Sequence, residues 1–181
     1  MIATGGMNDN SAHIYDAVTY TLKVTIPVGS VGSSVNSLKF SPNSAVLAIG
    51  YKNGALRFYT IATAVTATLN SGTTSQSIMN SMDWTTDSTY LATCSNSNNV
   101  LKVFSGSGAT WTVTAGYGGY TVTGQNFMSC VFTFDNNLLA ASTNGSVFFF
   151  PSPYTTPTAA STVSYSSGNS NGGLTCISYR W

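Results

Sequence analysis

The chain has 181 residues and a formal net charge of +1; only 6% of its residues are charged, whereas 43% are apolar and 12% aromatic. Six scattered cations cannot neutralise a nucleic-acid backbone, which excludes a basic nucleic-acid binder, and the apolar content excludes charge-driven disorder. The chain contains no Glu but 26 Ser, 26 Thr and 16 Asn, which excludes a coiled coil and favours an all-β fold.

The first 34 residues contain three β-like stretches, at 2–6, 12–16 and 22–26. The first of them, Ile-Ala-Thr-Gly-Gly, is similar to Leu-Ala-Thr-Cys-Ser at 91–95, which belongs to a later repeat. The chain is therefore expected to open on the second strand of a repeating unit. No signal peptide is expected at the start, and no apolar run approaches the roughly 18 residues of a membrane span.

An internal repeat begins at residue 35. Its copies start 44, 48 and 47 residues apart, at Val35, Met79, Phe127 and Leu174. In every copy an aromatic residue follows the start after five positions, and these residues are Phe40, Trp84, Phe132 and Tyr179. The three complete copies also carry Leu-Ala twelve positions after the start. This pattern predicts a first strand, a turn and a second strand in each copy.

A third strand is predicted after each complete copy, at 55–59, 100–104 and 146–150. Each is preceded by a pair of turn residues, which are Asn53-Gly54, Asn98-Asn99 and Asn144-Gly145. Asn and Gly tolerate positive φ, which a tight two-residue hairpin requires. The three pairs are therefore predicted to be structural turn positions.

A more polar fourth strand is predicted at 66–70, 111–115 and 161–165, and four antiparallel strands per unit form one propeller blade. The predicted fold is an all-β propeller portion of about four blades. We assign a partial blade to 1–34, complete blades to 35–78, 79–126 and 127–173, and the first strand of a next or ring-closing blade to 174–181. A portion of a larger ring is favoured over a chain that closes on itself, because rings of seven or eight blades are more common.

These repeats resemble the WD-repeat family over nearly the whole chain. Phe40-Ser-Pro-Asn and Trp84-Thr-Thr-Asp look like the aromatic-Ser-Pro-Asp turn of that family, and Tyr15-Asp16 looks like a relaxed Trp-Asp dipeptide. The Gly-His dipeptide is absent, since His13 is the only His. The Asp-His-Ser-Trp hydrogen-bond network of typical blades therefore cannot form, and aromatic and apolar packing is expected to supply more of the stability.

Within that family, three segments are similar to the atypical blades of the second propeller of echinoderm microtubule-associated protein-like proteins. They are 78–93 around Asp83-Trp84, 109–111 and 138–154. This resemblance implies a non-catalytic scaffold that binds other proteins, with tubulin or axonemal proteins as partners in the cytoskeleton or cilium. Because the chain has so few charges, such binding is expected to depend little on salt.

Catalytic and metal chemistry find little support in the sequence. His13 is the only candidate base and lies on a predicted strand, where packing is the expected role. Asp83 and Asp87 flank a turn and are expected to cap it. Cys94, Cys130 and Cys176 have no metal-ligand spacing and are expected to be small, buried, unreactive thiols. We therefore expect no enzyme activity, no cofactor and no metal.

One loop is a candidate contact surface. The Gly-rich segment 116–120 carries Tyr117 and Tyr120, and loops hold function more often than cores do. An alternative to the scaffold is an extracellular or surface structural β-protein, which the Ser, Thr and Asn content favours. Against it, the N-x-Ser/Thr pattern occurs only once, at Asn144.

Overall fold

A computed structural model describes residues 1–6, 10–27, 31–62, 67–74, 78–95, 100–107, 110–113, 120–121, 124–154, 161–164, 174 and 176–179. Within these residues the chain forms sixteen β-strands in four antiparallel sheets and no α-helix. The sheets follow one another along the sequence. The predicted all-β fold is confirmed, and the arrangement is that of a WD40-type propeller portion.

The first sheet has three strands, which are β1 (Ile2–Gly5), β2 (Ala12–Tyr15) and β3 (Leu22–Ile26). The second has four in chain order, which are β4 (Val35–Phe40), β5 (Val46–Tyr51), β6 (Ala55–Ile61) and β7 (Ala67–Thr74). The third contains β8 (Met79–Trp84), β9 (Tyr90–Ser95), β10 (Val100–Ser107), β11 (Thr110–Val113) and β12 (Tyr120–Thr121). The fourth contains β13 (Phe127–Phe132), β14 (Leu138–Ser142), β15 (Ser146–Phe150) and β16 (Ser161–Ser164).

The predicted first, second and third strands are present in all three complete repeats. The fourth strands β7, β11 and β16 are also present, although Thr66, Thr114, Ala115 and Tyr165 at their predicted ends lie outside the described residues. β12 is an addition that the sequence did not indicate; it pairs with β10 through Val100 opposite Thr121 and Leu101 opposite Tyr120. The division of the chain into blades at the stated boundaries stays a prediction.

Two of the three hairpins between second and third strands differ from the two-residue turn predicted for them, while the predicted Asn98-Asn99 turn lies outside the described residues. β5 ends at Tyr51 and β6 begins at Ala55, so three residues form the loop, and the Gly54 amide donates to the Tyr51 carbonyl at 3.0 Å. Positive φ occurs at Gly54 (86°) and at the equivalent Gly145 (77°), but not at the preceding Asn residues. This is a turn followed by a left-handed Gly, the usual form of a three-residue hairpin loop. Asn53 instead uses its side chain, whose amide donates to the Val31 carbonyl at 2.9 Å.

Three apolar clusters form the core, and each lies between two neighbouring sheets. In the cluster between the second and third sheets, the four rings of Phe58, Trp84, Phe104 and Trp111 pack together. Phe58 stacks on Trp111 with ring centroids 5.1 Å apart, and Trp84 meets Trp111 edge to face at 4.9 Å. The indole N–H of buried Trp111 has no hydrogen-bond partner among the described residues. The Trp111 ring is therefore held by packing against its neighbours. A larger share of the stability from aromatic packing stays a prediction.

The C-terminal segment differs from its prediction. Its described residues, at 174 and 176–179, do not form the expected first strand of a next or ring-closing blade. The Leu174 amide donates to the carbonyl of Ser142 at the end of β14, at 3.2 Å, so at this point the segment is bonded to the fourth sheet rather than to β1. Among the described residues β1 pairs with β2 alone. Within these described residues, no helix is long and apolar enough to cross a membrane.

Candidate functional site

A cavity of about 470 Å³ lies where the first strands of the second, third and fourth sheets converge. Its wall includes a pair of residues from each of four repeat-equivalent segments, which are Lys39-Phe40, Asp83-Trp84, Val131-Phe132 and Ser178-Tyr179. The four aromatic residues that marked the repeat in the sequence therefore meet at one place. The C-terminal segment contributes the fourth side of the cavity although it is not a strand there.

Asp83 joins three sheets at the wall of this cavity. One carboxylate oxygen lies 3.1 Å from the Lys39 Nζ on β4, and the other accepts the backbone amide of Phe132 on β13 at 2.8 Å. The next residue, Trp84, donates its indole N–H to the Lys39 carbonyl at 3.2 Å. Asp83 was expected to cap a turn, and that expectation was wrong. Its strand position directs the carboxylate across the inner edges of the neighbouring sheets.

Three copies of one turn lie between first and second strands, directly after the strand ends Phe40, Trp84 and Phe132 that line the cavity. In each copy a Ser or Thr hydroxyl donates to an Asn or Asp two residues later: Ser41 to Asn43 at 2.7 Å, Thr85 to Asp87 at 2.6 Å, and Thr133 to Asp135. The residue after that side chain adopts positive φ in every copy, at Ser44, Ser88 and Asn136. Asn and Asp stabilise such turns by bonding their own backbone, so Asp87 has the predicted capping role.

Hydrogen bonds also connect these turns to one another. The Asn43 amide donates to the Ser88 hydroxyl at 3.1 Å, and the Thr86 amide donates to the Asn136 side-chain oxygen at 2.9 Å. Pro42 follows Ser41 in the first turn, and Phe134 follows Thr133 in the third. Both are exposed, and the exposed fraction of Phe134 is 69%. The result is one continuous surface of linked turns with apolar side chains beside the cavity, which we call the turn face.

The predicted contact residues have separate outcomes. Tyr120 lies in β12, and its ring packs edge to face on Phe150 with centroids 4.9 Å apart and on Phe148 at 6.1 Å. Burial raises the pKa of its phenol. Tyr117 lies outside the described residues. The structure therefore places Tyr120 against an aromatic cluster, while a contact role for the pair stays a prediction.

The other candidates are packed residues with one exception. His13 lies on β2, where Nδ1 is 3.2 Å from the Thr25 hydroxyl. Cys94 and Cys130 are buried, and the pKa of Cys130 is well above its usual value because its S–H donates a hydrogen bond to the Cys94 sulfur and burial disfavours the thiolate. Cys176 is exposed, so its predicted burial was wrong; the segment that carries it did not form the strand that would have covered it.

Asp87 gives the turn face a measurable pH response. Burial raises the pKa of this carboxyl, but hydrogen bonds from Thr85 and from the hydroxyl and amide of Thr89 outweigh burial and hold the pKa below its usual range. A carboxyl with a lowered folded-state pKa contributes stability above its unfolded value and loses it as the pH falls through the folded value.

We therefore expect Asp87→Asn to change the free energy of unfolding by no more than about 0.5 kcal/mol at neutral pH, because Asn43 already serves the equivalent turn. Below about pH 4 the stability of the parent chain should fall more steeply than that of the variant. Urea unfolding across this pH range measures both curves. If the stabilities of the parent chain and the variant changed in parallel with pH, the lowered pKa of Asp87 would be contradicted.

Comparison with known families adds one match. A family model described as the anaphase-promoting complex subunit 4 WD40 domain matches residues 10–87, which run from before β2 to the turn after β8. The match covers less than half of the chain and supports a WD-repeat propeller. A search of curated proteins found no match. No group of three or more His, Cys, Asp or Glu side chains that could hold a metal occurs in the described part of the chain.

Proposed function

We propose that the protein is a non-catalytic scaffold that binds other proteins through its turn face. The observation that supports this most is the continuity of that face, in which turns from three successive sheets are hydrogen-bonded together. A rigid surface built on several sheets can hold a partner without a large ordering cost. The matched WD40 family model points to the same kind of role.

We further propose tubulin or an axonemal protein as the partner, and the cytoskeleton as the site of action, because segments 78–93, 109–111 and 138–154 resemble microtubule-associated propellers. The charged groups of the turn face are Asp87 and Asp135, and each carboxylate accepts a hydrogen bond from a hydroxyl of its own turn. Beside the turn face, Lys39 is paired with Asp83. Contacts by such a surface rely on shape, apolar area and neutral hydrogen bonds. Binding should therefore persist when salt screens charge–charge attraction.

Co-sedimentation with microtubules at low and high salt tests this proposal. We expect binding at both concentrations, and Phe134→Ala should weaken it at least about five-fold because an aromatic anchor at the centre of a contact is lost. Val163→Ala is the matched control, since Val163 is 67% exposed but lies on the outer strand β16. No binding at low salt would refute the microtubule partner. An equal loss of microtubule binding in both variants would refute the turn face as the binding surface.

A further inference from the structure

The cavity beneath the turn face has a wall made by repetition. Phe40, Trp84 and Phe132 are the last residues of their strands, and each ends the inner strand of its own sheet. Tyr179 occupies the equivalent position of the fourth repeat and lines the same cavity. It is 40% exposed, whereas Trp84 and Phe132 are nearly buried. Tyr179 is thus the most accessible of the four equivalent rings.

The cavity offers no unbalanced charge to a guest. Its charged lining residues, within the described chain, are Lys39 and Asp83, and these two are paired at 3.1 Å. The second oxygen of Asp83 is occupied by the Phe132 amide. A charged guest would give up its hydration without gaining an opposite charge, which is unfavourable. The remaining walls are mainly aromatic and aliphatic, with Pro42, Met82 and Val131 among them.

We propose that this cavity receives an aromatic side chain from an uncharged segment of a protein partner, and that Tyr179 sets the preference for an aromatic group. The volume of about 470 Å³ lies in the range of pockets that hold small ligands, roughly 300–1,000 Å³. Rings attract one another edge to face, so a guest ring gains more beside Tyr179 than an aliphatic chain does. This inference rests on the proposed function, since it assumes that partners approach the turn face.

Short capped peptides are suitable probes. The peptides are acetyl-Ser-X-Ser-amide, in which X is Phe, Leu, Lys or Asp. Binding to the full chain is followed by NMR through the indole N–H signal of Trp84, and this N–H donates to the Lys39 carbonyl. We expect the Phe peptide to shift this signal saturably, with a dissociation constant unaffected by salt. The Leu peptide should bind a few-fold more weakly, and the Lys and Asp peptides at least about ten-fold more weakly.

Variants of Tyr179 assign the selectivity. Tyr179→Ser should weaken binding of the Phe peptide at least about five-fold and remove the preference for Phe over Leu. Tyr179→Phe should keep the affinity and the preference of the parent chain. Thermal melting confirms that the variants fold. Tighter binding of the Lys or Asp peptide, or an unchanged Phe preference in Tyr179→Ser, would overturn the proposal. If the Phe peptide does not bind while the protein still co-sediments with microtubules, the aromatic-binding cavity is refuted and the scaffold proposal is retained. If the Phe peptide binds but the protein does not co-sediment, only the microtubule partner is refuted.

Discussion

Replacing Phe58 with Ala should lower the free energy of unfolding by about 3–5 kcal/mol, the usual cost of removing a fully buried Phe. Phe58 is 0% exposed and touches three other rings, those of Trp84, Phe104 and Trp111. These rings come from strands of the third sheet and cannot close the resulting space without moving β8, β10 and β11. Because whole domains are stable by only about 5–15 kcal/mol, the variant should unfold at a clearly lower urea concentration.

Phe134→Ala is the matched control for this experiment. The same atoms are removed, but Phe134 is 69% exposed on the turn face, so we expect a change within about 0.5 kcal/mol. A loss of less than about 1.5 kcal/mol for Phe58→Ala would show that the aromatic cluster is not the main support between the second and third sheets.

Asp83→Leu is expected to cost about 2–3 kcal/mol, because it removes the acceptor of a buried backbone amide as well as one partner of an ion pair. The amide belongs to Phe132, which is 1% exposed at the inner edge of the fourth sheet. Asp83→Asn keeps an oxygen for this amide and should cost less than about 1 kcal/mol, the usual value of a partly exposed ion pair.

A double-mutant cycle with Lys39→Met separates the two contributions. The Lys39 side chain is 51% exposed, so its substitution alone should cost less than about 1 kcal/mol and should couple weakly to Asp83. Urea unfolding of the four proteins gives the coupling energy. A larger loss for Lys39→Met than for Asp83→Leu would mean that the ion pair, rather than the amide acceptor, joins the sheets.

Most of the strand positions could be predicted from the sequence, because the same pattern of strand and turn residues occurs in three complete repeats. Leu47, Leu91 and Leu139 fixed the second strands, and the Asn-Gly pairs located the hairpins. The form of those hairpins could not be read from the pairs alone, since Asn tolerates positive φ but does not require it, and Asn53 was used for side-chain hydrogen bonds instead.

The candidate site was harder to predict for a different reason. Asp83 precedes a turn in the sequence and looked like a capping residue, but its partners Lys39 and Phe132 are 44 and 49 residues away. Contacts across that separation depend on how the sheets are placed side by side. One signal was available: the aromatic residues that share a repeat position also share a cavity, because equivalent positions in successive blades face a common axis.

The placement of the three apolar clusters determines how the molecule comes apart. Since each cluster belongs to one pair of adjacent sheets, no group of side chains is shared by all four. The free energy of unfolding is then a sum of contributions from the three interfaces between adjacent sheets, as in solenoid proteins. The cooperativity of unfolding is limited by the weakest of these three junctions. Among the described strands, damage at Phe58 would divide the protein into two halves that each keep one intact junction.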